Sequence, residues 1–175
     1  IELKNQLTGQ SVDDAMRQWE YNRNPKEYAF GFNKRVLAYF ACDLYNVYMT
    51  TQLNGAETVF LPFNQGSNGA GKDGGAGNPT TEDGKYVTSY FWENVLQKDK
   101  LLDILQKFIS YERSEKKKII KKSKKKTTVS SKVIFPPYHQ LDVVRKLASH
   151  VRENDAGHNY LFQHSAGSGK SNSIA

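Results

Sequence analysis

Apolar residues recur at helical or strand spacing over most of this chain. Val12, Ala15, Met16 and Trp19 stand at i, i+3, i+4 and i+7, the spacing that buries one stripe of a helix. Ser11 precedes them and Asp14 follows three residues later, a capping-box-like pair. A helix is therefore predicted from Ser11, ending at Asn24-Pro25 because the residue before proline disfavours helical dihedrals. Ahead of it, Ile1 to Asn5 reads as the end of a strand, with Gly9 in the turn that follows. From Arg35 to Gln52 β-branched and aromatic residues predominate, Asn54-Gly55 is a two-residue hairpin signal, and Glu57 to Phe63 reads as the returning strand. Helical spacing resumes in Phe91, Trp92, Val95 and Leu96, and again in Leu101, Leu102, Leu105, Phe108 and Ile109 behind a cap at Asp99. Leu141, Val144, Ala148 and Val151 mark a last helix with Gly157 as its stop, and Tyr160 to Gln163 reads as a short strand before a glycine-containing turn.

The stretches between these elements suggest the organisation. Residues 66 to 77 hold six of the 13 glycines and no apolar anchor, which predicts a mobile surface loop closed by Asn78-Pro79. At about 150 residues per domain, 175 residues give one complete domain and a remainder. We place the first domain over 1–112, a basic linker over 113–132 with Pro136-Pro137 as its rigid end, and a second unit from 133 to 175. No internal repeat is apparent. The missing methionine at Ile1, and the stop at Ala175 just as a helix begins, lead us to expect an internal piece of a longer chain.

Composition narrows the class. Hydrophobic residues at 38% and 21 aromatics suffice for a packed core. The longest apolar run, Val36 to Cys42, is seven residues, where a membrane span needs about 20. No signal peptide opens the chain, and Cys42 is the single cysteine. A reducing, cytoplasmic setting is expected, with no intrachain disulfide and no membrane. The net charge of +7 is a local property: nine basic residues and one acid lie between Arg113 and Lys126, and the remaining 161 residues carry 16 basic and 17 acidic groups. The four histidines show no metal-ligand spacing with carboxylates or cysteine, so no zinc site is assigned.

Two sequence features carry chemistry. His164-Ser-Ala-Gly-Ser-Gly-Lys-Ser171 matches the end of a P-loop at Gly169-Lys170-Ser171, with His164 where the pattern's first glycine stands. In a strand-loop-helix setting, Gly167, Gly169 and the helix N-terminus would face the phosphates of ATP. Lys170 would reach the β- and γ-phosphates, and Ser171 would ligate Mg²⁺. The bland alternative is a flexible Ser/Gly turn. Gln140, upstream at the start of a helix, is a candidate reader of adenine N6 and N7 by a bidentate amide contact, or else a solvated polar residue. The second feature is Glu2-Leu3-Lys4. Two residues apart in a strand, Glu2 and Lys4 project from one face. A carboxylate there can hold Mg²⁺ while the lysine orients attacking water and offsets charge on a scissile phosphate. Taken alone, such a pair in a strand is most often a surface salt bridge.

The order of motifs is more specific than any one of them. Ile1-Glu-Leu-Lys-Asn5, Leu7-Thr-Gly-Gln10, Gln18-Trp-Glu-Tyr21, Asn78-Pro79 leading to Tyr90-Phe-Trp-Glu93, Phe135-Pro-Pro-Tyr-His-Gln140 and the P-loop follow one another. Together they resemble the R (restriction) subunit of type I restriction-modification enzymes, over essentially the whole chain. The resemblance implies a restriction-endonuclease-like PD-(D/E)xK mixed sheet with helices, followed by the start of a RecA-like P-loop motor domain. It implies an ATP-dependent type I site-specific deoxyribonuclease that cleaves double-stranded DNA with Mg²⁺ after ATP-driven translocation, in a complex with modification (M) and specificity (S) subunits. Glu2 then corresponds to a metal-binding carboxylate and Lys4 to the catalytic lysine. Gln18 and Tyr21 resemble the family's glutamine-tyrosine motif beside the cleavage site, and Gly169, Lys170 and Ser171 the motor's first motif. The family's metal-binding aspartate precedes the Glu-x-Lys strand and its later motor motifs follow the P-loop. Isolated, this chain is expected neither to cut DNA nor to turn over ATP efficiently. The run from Lys116 to Lys126 could neutralise phosphates, or it could be a solvated linker with no aromatic to stack on bases. The rival reading of the whole chain is a non-catalytic nucleic-acid-binding module.

Overall fold

The computed structural model describes residues 1–67, 71–81, 84–119, 125–164 and 169. They form a mixed α/β fold. A four-stranded sheet has the order β1 (Glu2–Leu3), β2 (Tyr39–Cys42), β3 (Val47–Thr50) and β4 (Leu61–Pro62). β1 runs parallel to β2, with Glu2 opposite Ala41 and Leu3 opposite Cys42, and the other neighbours are antiparallel. The parallel pair is joined through helix α1 (Val12–Tyr21), as parallel neighbours require a crossover.

α1 forms where the sequence predicts it. Ser11 accepts from the Asp13 amide, and the Asp14 carboxylate accepts from the Ser11 amide at 2.9 Å, so the capping box is made. Its buried stripe of Val12, Ala15 and Trp19 packs with Tyr39, Ala41 and Leu53 on one face of the sheet. Phe40 and Cys42 alternate onto the opposite face, so all four residues of β2 are buried, as expected of a strand covered on both sides. The second core gathers Phe40, Val47, Met49, Phe63, Phe91 and Val95 with Ile104, Phe135, Tyr138 and Leu141. Its aromatic rings meet mostly edge to face.

Several expectations are corrected. Asn54-Gly55 lies in the connection between antiparallel β3 and β4, but that connection is the long segment 51–60 rather than a two-residue turn, and the returning strand is short: Leu61–Pro62 pair with β3 and Phe63 N–H donates to Val47 O at 2.8 Å. The Asn54 amide instead donates to the Thr58 hydroxyl and closes a local loop. The glycine-rich loop is tied at both described ends. Gly66 N–H donates to Gly77 O, and the Asn78 side chain accepts from Gln65 N and donates to Tyr45 O. Phe91–Val95 winds as a π-helical turn, with Phe91 and Val95 buried and Trp92 exposed. α2 (Lys98–Lys107) is capped by Gln97 rather than Asp99, and it buries Ile104 while Leu102 and Leu105 stay exposed.

The expected linker 113–132 lies inside an antiparallel ribbon of β5 (Ser110–Ile119) and β6 (Lys125–Ile134). The expected boundary beyond it is not marked by a change of core. Phe135, together with Tyr138 and Leu141 of α3 (Tyr138–Asn154), enters the same cluster as Phe40 and Phe63. Tyr160 to Gln163 form no strand and are exposed. Tyr160 and Phe162 stack on each other, and the Tyr160 hydroxyl lies 3.0 Å from His150 Nδ1. No helix among the described residues is long and apolar enough to cross a membrane.

Candidate functional site

β1 is an end strand of the described sheet, and its ladder to β2 continues through Lys4 N–H donating to Cys42 O at 2.8 Å. Extended backbone through Glu2, Leu3 and Lys4 sends the two charged side chains to one side, where α1 covers them. There Lys4 Nζ donates to Gln18 Oε1 at 2.6 Å and lies 3.5 Å from Glu2 Oε1. The side chains of Lys4 and Glu2 are only 11% and 16% exposed. Three of the residues singled out in the sequence, from two elements, thus meet in one half-buried cluster.

Arg23, just past the end of α1, joins them. Its guanidinium lies 3.7 Å from Glu2 Oε2 and above the Trp19 ring. Sequence reasoning missed it, because a residue beyond the helix end has no fixed angular relation to Gln18. Glu2 therefore sits between two cations, and the three charged groups together carry a net positive charge. Such a cluster can hold an anionic phosphate oxygen, and Glu2 can ligate a divalent cation if Arg23 gives way. Tyr21 does not enter it as a buried partner; it is 68% exposed at the end of α1.

Asp43, the buried acid nearest in chain to this ladder, is engaged otherwise. Oδ2 accepts from Val12 N at 3.0 Å, and Oδ1 accepts from Tyr45 N and Asn46 N at 2.8 and 2.7 Å. It caps the start of α1 and shapes the β2–β3 turn. Among the described residues no group of three or more His, Cys, Asp and Glu is placed to hold a metal ion.

At the other candidate centre, Gln140 lies in the first turn of α3 and is 7% exposed. Its Nε2 donates to Gly169 O at 3.1 Å. The His139 and His164 rings meet edge to face with centroids 5.0 Å apart. The first turn of α3 is thus joined to the glycine-rich segment at two points. Gly167, Lys170 and Ser171 lie outside the described residues.

Comparison of this chain with protein-family models, with curated proteins and with solved structures finds no match.

Proposed function

We propose that this chain is part of an ATP-dependent deoxyribonuclease of the type I restriction R-subunit kind. In this reading Glu2, Lys4 and Gln18 belong to a Mg²⁺-dependent phosphodiester-cleaving centre, and Gln140, Gly169, Lys170 and Ser171 to an ATP-binding centre. The observation that carries it is the Lys4 ammonium held 2.6 Å from Gln18 and 3.5 Å from Glu2. A surface salt bridge accounts for Glu2 and Lys4 alone. It does not account for a third polar partner delivered from the crossover helix, or for so little exposure in groups that prefer water.

The parallel β1–α1–β2 unit supports the same reading, since it sets the Glu-x-Lys strand beside a glutamine-bearing helix. Mg²⁺, when bound, would polarise the phosphate and activate water. Lys4 would stabilise charge developing on the phosphate, and Gln18 would fix the ammonium's position. At the second centre, Gln140 Nε2 donates to Gly169 O, which supports grouping the candidate adenine reader with the proposed phosphate-binding glycine.

The test uses the longer polypeptide of which we propose this chain to be a part. Glu2→Gln should abolish Mg²⁺-dependent nicking of supercoiled plasmid, and Lys170→Ala should abolish binding of a fluorescent ATP analogue that Gln140→Ala weakens. Wild-type nicking in the first variant and wild-type nucleotide binding in the second would leave the non-catalytic nucleic-acid-binding module instead.

A further inference from the structure

From the β5–β6 ribbon we infer a duplex-DNA-binding arm whose working surface is its outer half. This deepens the function proposed above, by naming the surface that takes the DNA. Each strand is ten residues long, so the ribbon extends roughly 30 Å at about 3.4 Å per residue. Its root is fixed to the body: Val133 is buried, Thr51 Oγ1 donates to Val133 O at 2.9 Å, and Phe135 enters the main core. Among the described residues the backbones of β5 and β6 run close to each other and to no other helix or strand.

Charge divides along its length. Near the root, Glu112 pairs with Lys132 at 3.0 Å, and the Ser114 and Ser130 hydroxyls meet across the strands. Further out, the register sets Lys116, Lys118 and Lys126 on one face and Lys117 and Lys125 on the other, with Lys118 directly opposite Lys126. Like charges paired across a ladder destabilise it, and a two-stranded ribbon alone is marginal in water. A polyanion laid along both faces relieves that repulsion.

The chemistry selects among polyanions. Between Glu115 and Thr128 the only apolar residues are Ile119 and Ile120, and no aromatic occurs. Stacking on single strands lacks its platform, and insertion into a lipid interface lacks its aromatic and apolar anchors. The major groove of B-form DNA admits a two-stranded ribbon, whereas that of A-form RNA is too deep and narrow. Lysine positions on both faces of the ribbon then suit the phosphates of the two flanking strands.

The test is equilibrium binding to a fluorescent DNA duplex without Mg²⁺, so that hydrolysis plays no part, between about 50 and 200 mM salt. Releasing about eight counterions weakens binding roughly 10⁴-fold over that range, and about four fewer contacts leave roughly a hundredfold. The variant Lys117→Gln, Lys118→Gln, Lys125→Gln, Lys126→Gln should show the weaker dependence. A control with Lys26, Lys72, Lys98 and Lys146 changed to Gln, all exposed outside the ribbon, should keep the wild-type slope. Circular dichroism checks that both variants are folded. Equal slopes in the ribbon variant and wild type, or tighter wild-type binding to duplex RNA or to phosphatidylserine-rich vesicles, would overturn the assignment. DNA bound through the ribbon but never nicked would count against the nuclease alone, and nicking with unchanged binding in the ribbon variant against the arm alone.

Discussion

At Asp43 one buried carboxylate holds three backbone amides, those of Val12, Tyr45 and Asn46. Replacing it by alanine leaves buried donors without acceptors, so Asp43→Ala should lower stability by about 3 kcal/mol in urea denaturation, with a smaller loss in Asp43→Asn. Sequence gave no sign of this role, because an acid after an apolar run reads as an exposed turn residue. Its neighbour Cys42 has the clearer pH signature. Burial, reinforced by the Asp43 charge and partly offset by a hydrogen bond with Thr88, pushes the thiol up to about 12. An unfolded thiol titrates near 8.5. Between those values the native state keeps a proton that the unfolded state gives up, so stability falls as pH rises, by up to about 1.4 kcal/mol per pH unit. Urea midpoints measured at about pH 7.5 and 9.5 should therefore separate in the wild type by more than in Cys42→Ala.

Elements were legible where their signals are local. The cap and stripe of α1 lie within ten residues of each other and agree, and Ser11→Ala should cost about 1 kcal/mol by removing the cap. The buried face of α2 is ambiguous in the sequence because apolar residues occupy two stripes, Leu101-Ile104-Phe108 and Leu102-Leu105-Ile109. Packing against the sheet chose the one containing Ile104, a decision that long-range contacts make and periodicity cannot. Asn54-Gly55 is a genuine turn signal, used here for a short loop clasped by Thr58. α2 is also joined to α3 by charge. A hydrogen bond from Lys107, supported by its charge and by Arg145, holds the Asp103 carboxyl below its ordinary value. The stability this contributes is present above about pH 4 and is lost as pH falls through the lower folded-state value. Solvent screens the pair, so Asp103→Asn should remove well under about 1 kcal/mol at neutral pH and reduce the acid dependence of the urea midpoint.

For the molecule as a whole, the lysine-rich stretch interrupts the sequence without interrupting the core. Phe135, Tyr138 and Leu141 return to the cluster around Phe40 and Phe63 after the whole ribbon has passed, a closure over many residues that composition hides. Leu141→Ala should cost about 2–5 kcal/mol and lower the midpoint of one cooperative transition that also unfolds α1 on the far face of the sheet. Of the two candidate centres, the pairing of Glu2 with Lys4 was legible from strand alternation, the place of Gln18 came from the resemblance, and Arg23 was invisible. The most direct test of two separate phosphate-handling centres is to measure DNA cleavage and ATP turnover in one preparation of the proposed longer polypeptide carrying Lys4→Ala. The account predicts cleavage reduced by about 10³-fold or more with DNA-stimulated ATP turnover unchanged. Cleavage at the wild-type rate would contradict it.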